Sequence, residues 1–293
     1  HMFMASIESI GDTPSKVPDG GMGAEYHEAY TGAHNIGIAT ATFYPRWYPG
    51  EPVTIDDTDK IRGDLALQTI HNALNNGNQI AIVDGGSSSY FIAAARELGA
   101  DVEPQLGEGM SDSRRQAFRS IAERDGVQVI CWTEPEKISM VQQECMELGA
   151  RPILDDSADI VVPTRDENAF SSYPYYQAEF EIESNKVWND ILRRHGLLSE
   201  GAEDLDAWVG TRFFKNEPEI VNIFLSKYRF KTPIQSRIDQ YSPELWPNAI
   251  FLPLMVALKK GYKIVGQNVP YEHPQEQTQN ETDSPEFVDK RAK

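Results

Sequence analysis

The sequence predicts an α/β fold with a mixed, mainly parallel sheet flanked by helices, and three observations carry that expectation. Short apolar runs of strand length, such as residues 79–83 and 127–132, alternate with segments whose apolar residues recur at helical spacing. Strand–helix–strand order of this kind implies right-handed crossovers and therefore parallel neighbours. Hydrophobic residues make up 40% and charged residues 25% of the 293, a balance that lets a chain bury a real core.

Residues 1–33 are rich in Gly, Pro, Ser and acidic groups and read as an N-terminal arm. Residues 35–41 form a β-rich run that breaks into Phe43-Tyr44-Pro45-Arg46-Trp47-Tyr48-Pro49. A helix is expected over 59–76, with Ile61, Leu65, Ala66, Ile70, Ala73 and Leu74 near one face, stopping at Asn76-Gly77. Strand 79–83 ends at Asp84-Gly85-Gly86, and Phe91, Ala94, Ala95 and Leu98 then follow helical spacing. A strand over 101–105, a helix over 111–125 and a strand over 127–132 come next. A helix over 137–148 and a strand over 159–162 continue the alternation. Helix-rich sequence covers 176–192 and 245–260, and 262–265 is the last expected strand. From Glu272 the chain turns polar, so residues 272–293 read as a mobile tail or lid on a single domain spanning 34–271.

Charge narrows the function classes. Lys and Arg number 27 against 45 Asp and Glu, a net charge of −18, which argues against a nucleic-acid partner and favours solubility. Cys131 and Cys145 both fall in apolar or helical sequence and read as core residues, which fits a reducing, cytoplasmic compartment. The longest apolar stretch, 249–258, is too short to span a bilayer.

Ligands of parallel α/β sheets bind outside the carboxyl ends of strands, and three polar clusters fall there. Asp84 could accept hydrogen bonds from a nucleobase or ribose, with Gly85 and Gly86 allowing close backbone approach; it could equally be a turn or capping residue. The glycines match neither a dinucleotide fingerprint nor a P-loop. In Glu134-Pro135-Glu136 the proline favours an extended Glu134, so both carboxylates would project the same way and invite Mg²⁺ or Mn²⁺. The alternative is a helix N-terminus with Pro135 at its first position. Arg114, near a helix start and toward its buried side, suggests a bound anion or a carboxylate partner.

In order, these segments resemble the GT-A nucleotide-diphospho-sugar glycosyltransferases, particularly the family 2-like group with polyprenyl-phosphate sugar synthases and glycerate-type enzymes. The family's Val-Asp-(Asp/Gly)-Gly-Ser element looks like Val83-Asp84-Gly85-Gly86-Ser87. Its Gly-x-x-x-x-Arg helix is similar to Gly109 through Arg114, and its Asp-x-Asp element aligns with Glu134-Pro135-Glu136, a departure that keeps the carboxylates. Asp159 through Arg165, Asp206-Ala207-Trp208-Val209-Gly210-Thr211-Arg212 and the stretch from Glu244 to Tyr271 resemble later family segments, the second being acceptor-side. The likeness spans about Asn35 to His273.

The resemblance implies transfer of a sugar from a nucleoside diphosphate sugar to an acceptor hydroxyl, assisted by Mn²⁺ or Mg²⁺. Thr42, Phe43, Asp84, Gly85, Gly86, Arg114 and Glu134 would hold the nucleotide sugar. Glu134, Glu136 and His273 would hold the metal, although a His in a polar tail can also be merely solvated. An inverting enzyme needs a carboxylate base, for which Asp206 comes first and Glu244 second; a retaining enzyme needs none. A homodimer is left open. The rivals are a non-catalytic nucleotide-sugar-binding protein of the same fold and a nucleotidyltransferase, whose glycine-rich first loop is absent.

Overall fold

The structure, a computed structural model, describes residues 7–9, 35–54, 57–230 and 247–282. Its core is a seven-stranded sheet in the order β4-β3-β2-β5-β7-β6-β9. Strand β2 (Ile36–Thr42) lies parallel between β3 (Gln79–Asp84) and β5 (Val129–Trp132), and β4 (Val102–Pro104) extends that half beside β3. On the other side β7 (Arg212–Lys215) runs antiparallel between β5 and β6 (Ile160–Thr164), and β9 (Ile264–Asn268) closes the sheet parallel to β6. The sheet is therefore mixed and mainly parallel, as the strand–helix alternation predicts. A separate ribbon pairs β1 (Ile7–Ser9) with β8 (Tyr228–Phe230).

Successive side chains of a strand face opposite ways, so this sheet serves two cores. Ile36, Ile38, Ile80, Ile82, Val129 and Cys131 face a layer with helices α1 (Thr58–Asn75), α2 (Ser89–Glu97) and α4 (Gln143–Leu154). Ala39, Val83, Ile130 and Trp132 face the other layer, with α3 (Gly109–Ala122), α6 (Tyr175–Arg194), α7 (Pro218–Leu225) and α8 (Pro247–Lys260). Burial on both faces explains why these strands are nearly continuous apolar runs. Both cysteines are buried, one in each core.

Several elements differ from the expectation. The helix expected over 137–148 is a single 3₁₀ turn, Ile138–Val141, and then α4, because Gln142 between them is extended with φ −65° and ψ 147°. Strand β7 and helix α7 were not anticipated: only Phe213 and Phe214 separate two charged ends in β7, too short for a period to show. The segment expected as a mobile tail carries α9 (Gln275–Thr282), which reaches α1 through Thr58 and Asn280 (3.3 Å). It is anchored too where Tyr176 donates to the Glu281 carbonyl at 3.1 Å. A short helix α5 (Glu167–Ser171) lies just before α6.

Helix α4 approaches β7 closely because residue 149 has no side chain. A Cβ there would sit 2.4 Å from two ring atoms of Phe213. Gly149→Ala is therefore expected to destabilise the fold by about 1–3 kcal/mol through overpacking. Urea denaturation checks this as a lowered midpoint at unchanged slope; an unmoved midpoint would mean that the ring yields freely.

Candidate functional site

The chain leaves β2 for β3 on one side and later crosses to β5 on the other, so strand order reverses around β2. Open α/β sheets bind ligands at such a switch point, beyond the carboxyl ends of the two flanking strands. Three expected segments meet there: Thr42 and Phe43 after β2, Asp84-Gly85-Gly86 after β3, and Glu134-Pro135-Glu136 after β5.

The β2 and β3 ends form one hydrogen-bonded unit. Thr42 Oγ1 donates to Asp84 Oδ1 at 2.8 Å, and the other carboxylate oxygen accepts from the Gly86 and Ser87 amides, each at 2.9 Å. Gly85 N donates to the Thr42 carbonyl at 2.8 Å. Asp84 thus shapes the loop as a turn carboxylate. Gly86 has φ +121°, a conformation open chiefly to glycine. Tyr44 and Trp47 pack against Phe91, with ring centroids 4.9 and 5.8 Å away. That anchorage leaves the neighbouring Phe43 side chain 64% exposed beside the two glycines. The sequence pattern brings Thr42, Phe43, Asp84, Gly85 and Gly86 together, and an exposed aromatic face beside bare backbone can take a planar ring.

The Glu-Pro-Glu element has a different construction from the one expected. Glu136 is buried, and its Oε1 accepts from Tyr44 OH at 2.8 Å and pairs with Arg62 Nε of α1 at 3.0 Å. Glu134 stays partly exposed and pairs with Lys137 Nζ at 2.8 Å. Burial alone would raise the Glu134 carboxyl, but Lys137 and Arg114 overcome it and hold the group below its ordinary range. The two carboxylates therefore face separate cations. A Cβ on Gly210, which has φ +79°, would lie 2.6 Å from a Glu134 oxygen, so only glycine lets this turn close over the carboxylate.

Arg114 is buried on α3 with its guanidinium 5.1 Å from the centre of the Trp132 ring. Burial pushes it down to about 10, against the pull of Glu134. Arg212 is fully buried in β7, donates to the Thr211 and Ala207 carbonyls, and is likewise pushed down to about 10 by burial. Glu134 is thus the carboxylate around which Lys137, Arg114 and Arg212 gather.

Asp206, the first choice for a base, is committed elsewhere. Its two oxygens accept from Arg165 Nε and Nη2, each at 2.8 Å, and Asn185 adds a bond of 2.6 Å. Arg165 also pairs with Glu181 at 2.5 Å, and all three are buried. Burial alone would raise Asp206, yet its bonds to Arg165 hold it below the ordinary carboxylate range. A carboxylate locked in this way is a poor proton acceptor. Glu244, the second choice, lies outside the described residues.

His273 is buried, not solvated. Its ring stacks on Tyr173 at 4.1 Å, and Nε2 lies 3.9 Å from Glu281. Among the described residues no group of three or more His, Cys, Asp or Glu side chains is placed to hold a metal, so Glu134, Glu136 and His273 do not form a joint donor set. Sequence reasoning missed Lys137, Arg62 and Tyr44. Lys137, three residues after Glu134, left a helical-spacing signal; the other two come from distant elements and left none.

No family model and no curated protein matches the chain. Solved structures do. Glucosyl-3-phosphoglycerate synthase from Mycobacterium tuberculosis, in complex with Mn²⁺, UDP and glucosyl-3-phosphoglycerate, is 8% identical; the match covers 88% of this chain and 80% of that one, with a TM-score of 0.43. The same enzyme with Mg²⁺ and UDP is 10% identical over 85% and 78%, with a TM-score of 0.42. A mycobacterial protein is 13% identical over 82% and 68%, with a TM-score of 0.47. Likeness at that level leaves the function to be read from the chain's own side chains. Among the described residues no helix is long and apolar enough to cross a membrane.

Two outcomes follow from the ion pairs. Glu136→Gln is expected to lower apo stability by about 1–3 kcal/mol, because a charged hydrogen-bond acceptor for Tyr44 and Arg62 is lost. A thermal midpoint that stays level or rises would show that Glu136 is strained by a neighbouring carboxylate instead. Arg165→Met should cost about 3–5 kcal/mol at pH 7, since it strands Asp206 and Glu181 in the interior. The folded pKa of Asp206 lies below its unfolded value, so the wild-type contribution is full at neutral pH and disappears as pH falls through that depressed value. The gap between variant and wild type should accordingly narrow below about pH 4 in chemical denaturation, and a constant gap would refute the assignment.

Proposed function

We propose that the chain is a GT-A-type glycosyltransferase that moves a sugar from a nucleoside diphosphate sugar to an acceptor hydroxyl. One juxtaposition supports this best: an exposed Phe43 beside Gly85-Gly86, and a cation group around Glu134, both at the switch point of the sheet. The first suits a nucleoside and the second a diphosphate. The order of motifs from Val83 to Tyr271 supports the same reading.

Roles divide accordingly. Phe43 and the glycines receive the nucleoside, Thr42 and Asp84 hold their loop in shape, and Arg114 acts on the diphosphate from the start of α3. With Asp206 bound by Arg165, an inverting reaction would draw its base from Glu244, and a retaining reaction would need none. In the M. tuberculosis enzyme Mn²⁺ or Mg²⁺ accompanies UDP. The described donor groups here do not fit such an ion as a set: Glu136 is closed by Tyr44 and Arg62, Glu134 faces Lys137, and His273 is stacked on Tyr173.

Incubation with a panel of sugar nucleotides, with and without Mn²⁺, tests the reading. Slow release of the nucleoside diphosphate from one donor is expected, and it names the donor. Tight donor binding without any release over many hours would instead make this a non-catalytic nucleotide-sugar-binding protein. Phe43→Ala should weaken that donor about tenfold or more, since stacking on an aromatic face contributes roughly 1–3 kcal/mol; unchanged affinity would remove Phe43 from the site.

A further inference from the structure

We infer that Lys137 supplies from the protein itself the positive charge that the diphosphate meets in this crevice, so that a nucleoside diphosphate binds without a divalent cation. The inference rests on the transferase reading above and assigns a new residue to its site.

The turn after β5 places the group. Lys137 N donates to the Glu134 carbonyl at 3.2 Å, which folds the lysine back over the residue that opens the Glu-Pro-Glu element. Its ammonium then lies 2.8 Å from Glu134 Oε2 and donates also to the Val209 carbonyl. Both side chains keep contact with solvent, 14% exposed for Lys137 and 29% for Glu134. Glu136, by contrast, is buried, held by Tyr44 and by an Arg62 that is itself partly exposed, and takes no part.

The charges around Glu134 decide which ion the place accepts. Lys137 touches it, and Arg114 and Arg212 act on it through a poorly solvated interior. A divalent cation bound to Glu134 would have to displace an ammonium and then face two guanidinium groups. Like charges at short range in a low-dielectric site repel strongly. A diphosphate is the complementary ligand, and this positive place stands in a chain whose net charge is −18. Lysine suits the exchange, because its ammonium is a compact charge on a flexible stem. It can turn from the carboxylate to a phosphate oxygen while Arg114 still acts on Glu134.

Calorimetry with UDP, GDP and ADP, in EDTA and again with Mn²⁺, tests the inference, with the free nucleosides as a check on folding. Wild type should bind one diphosphate in EDTA within about threefold of its affinity in Mn²⁺. Lys137→Ala should lose about tenfold or more for the diphosphate and little for the nucleoside, and Lys137→Arg should restore most of that loss. Glu134→Gln keeps the shape and releases the ammonium, so its diphosphate affinity in EDTA should hold or rise. A tenfold dependence of wild type on Mn²⁺, or loss of diphosphate binding by Glu134→Gln in EDTA, would overturn the inference while leaving the transferase reading intact. Absence of diphosphate binding in both buffers would overturn the transferase reading, and the role of Lys137 with it.

Discussion

Four carboxylates near the carboxyl end of this sheet, those of Asp206, Glu181, Glu136 and Glu134, are met by cations, whereas the buried Asp84 is met by a hydroxyl and two amides, and the arrangement of the site follows from that difference. A charge removed from water costs several kcal/mol unless a partner and hydrogen bonds replace the lost solvation. Arg165 answers Asp206 and Glu181, Arg62 answers Glu136, and Lys137 answers Glu134. The Arg165 cluster is closed, and in the Arg62 pair Glu136 is buried although Arg62 keeps 34% of its side chain exposed. Of these, the third leaves its carboxylate the most accessible, 29% exposed against 8% or less for the others, which is why the exchange for a ligand is proposed there.

The scaffold that imposes this requirement is the sheet. Its central strands are covered on both faces, so polar side chains can reach solvent only at the strand ends. Around β2 the direction of strand addition reverses, the place where open α/β sheets bind ligands. Tyr44 joins the segments after β2 and β5 there, with its ring packed on Phe91 and its hydroxyl on Glu136. One residue earlier, Phe43 cannot share the same pocket and is turned outward. Exposure of a large aromatic ring beside two glycines is thus a consequence of how its neighbour is packed.

The antiparallel strand β7 adds a further wall. It brings Arg212 under the crevice and Gly210 against Glu134, while Phe213 and Phe214 divide between the two cores. Helix α4 packs closely on it through Gly149, where any side chain would meet the Phe213 ring. Packing on one side of the sheet and charge pairing at its end are therefore set by the same short strand.

The sequence by itself determined the layers, the alternation of strands and helices, and the three segments that meet at the switch point, because periods of two and of 3.6 residues are local properties. It also determined that Asp84, Gly85 and Gly86 end a strand together. It could not determine which acidic groups remain available. Glu136 is held by a tyrosine 92 positions away and Asp206 by an arginine 41 positions away, and no local pattern encodes such partners. The same reason hides the antiparallel entry of β7 and the packing of α9 on α1. Only the tertiary structure decided that Glu134 and Glu136 face different cations, since electrostatic partnership is a matter of distance in space and not of spacing along the chain.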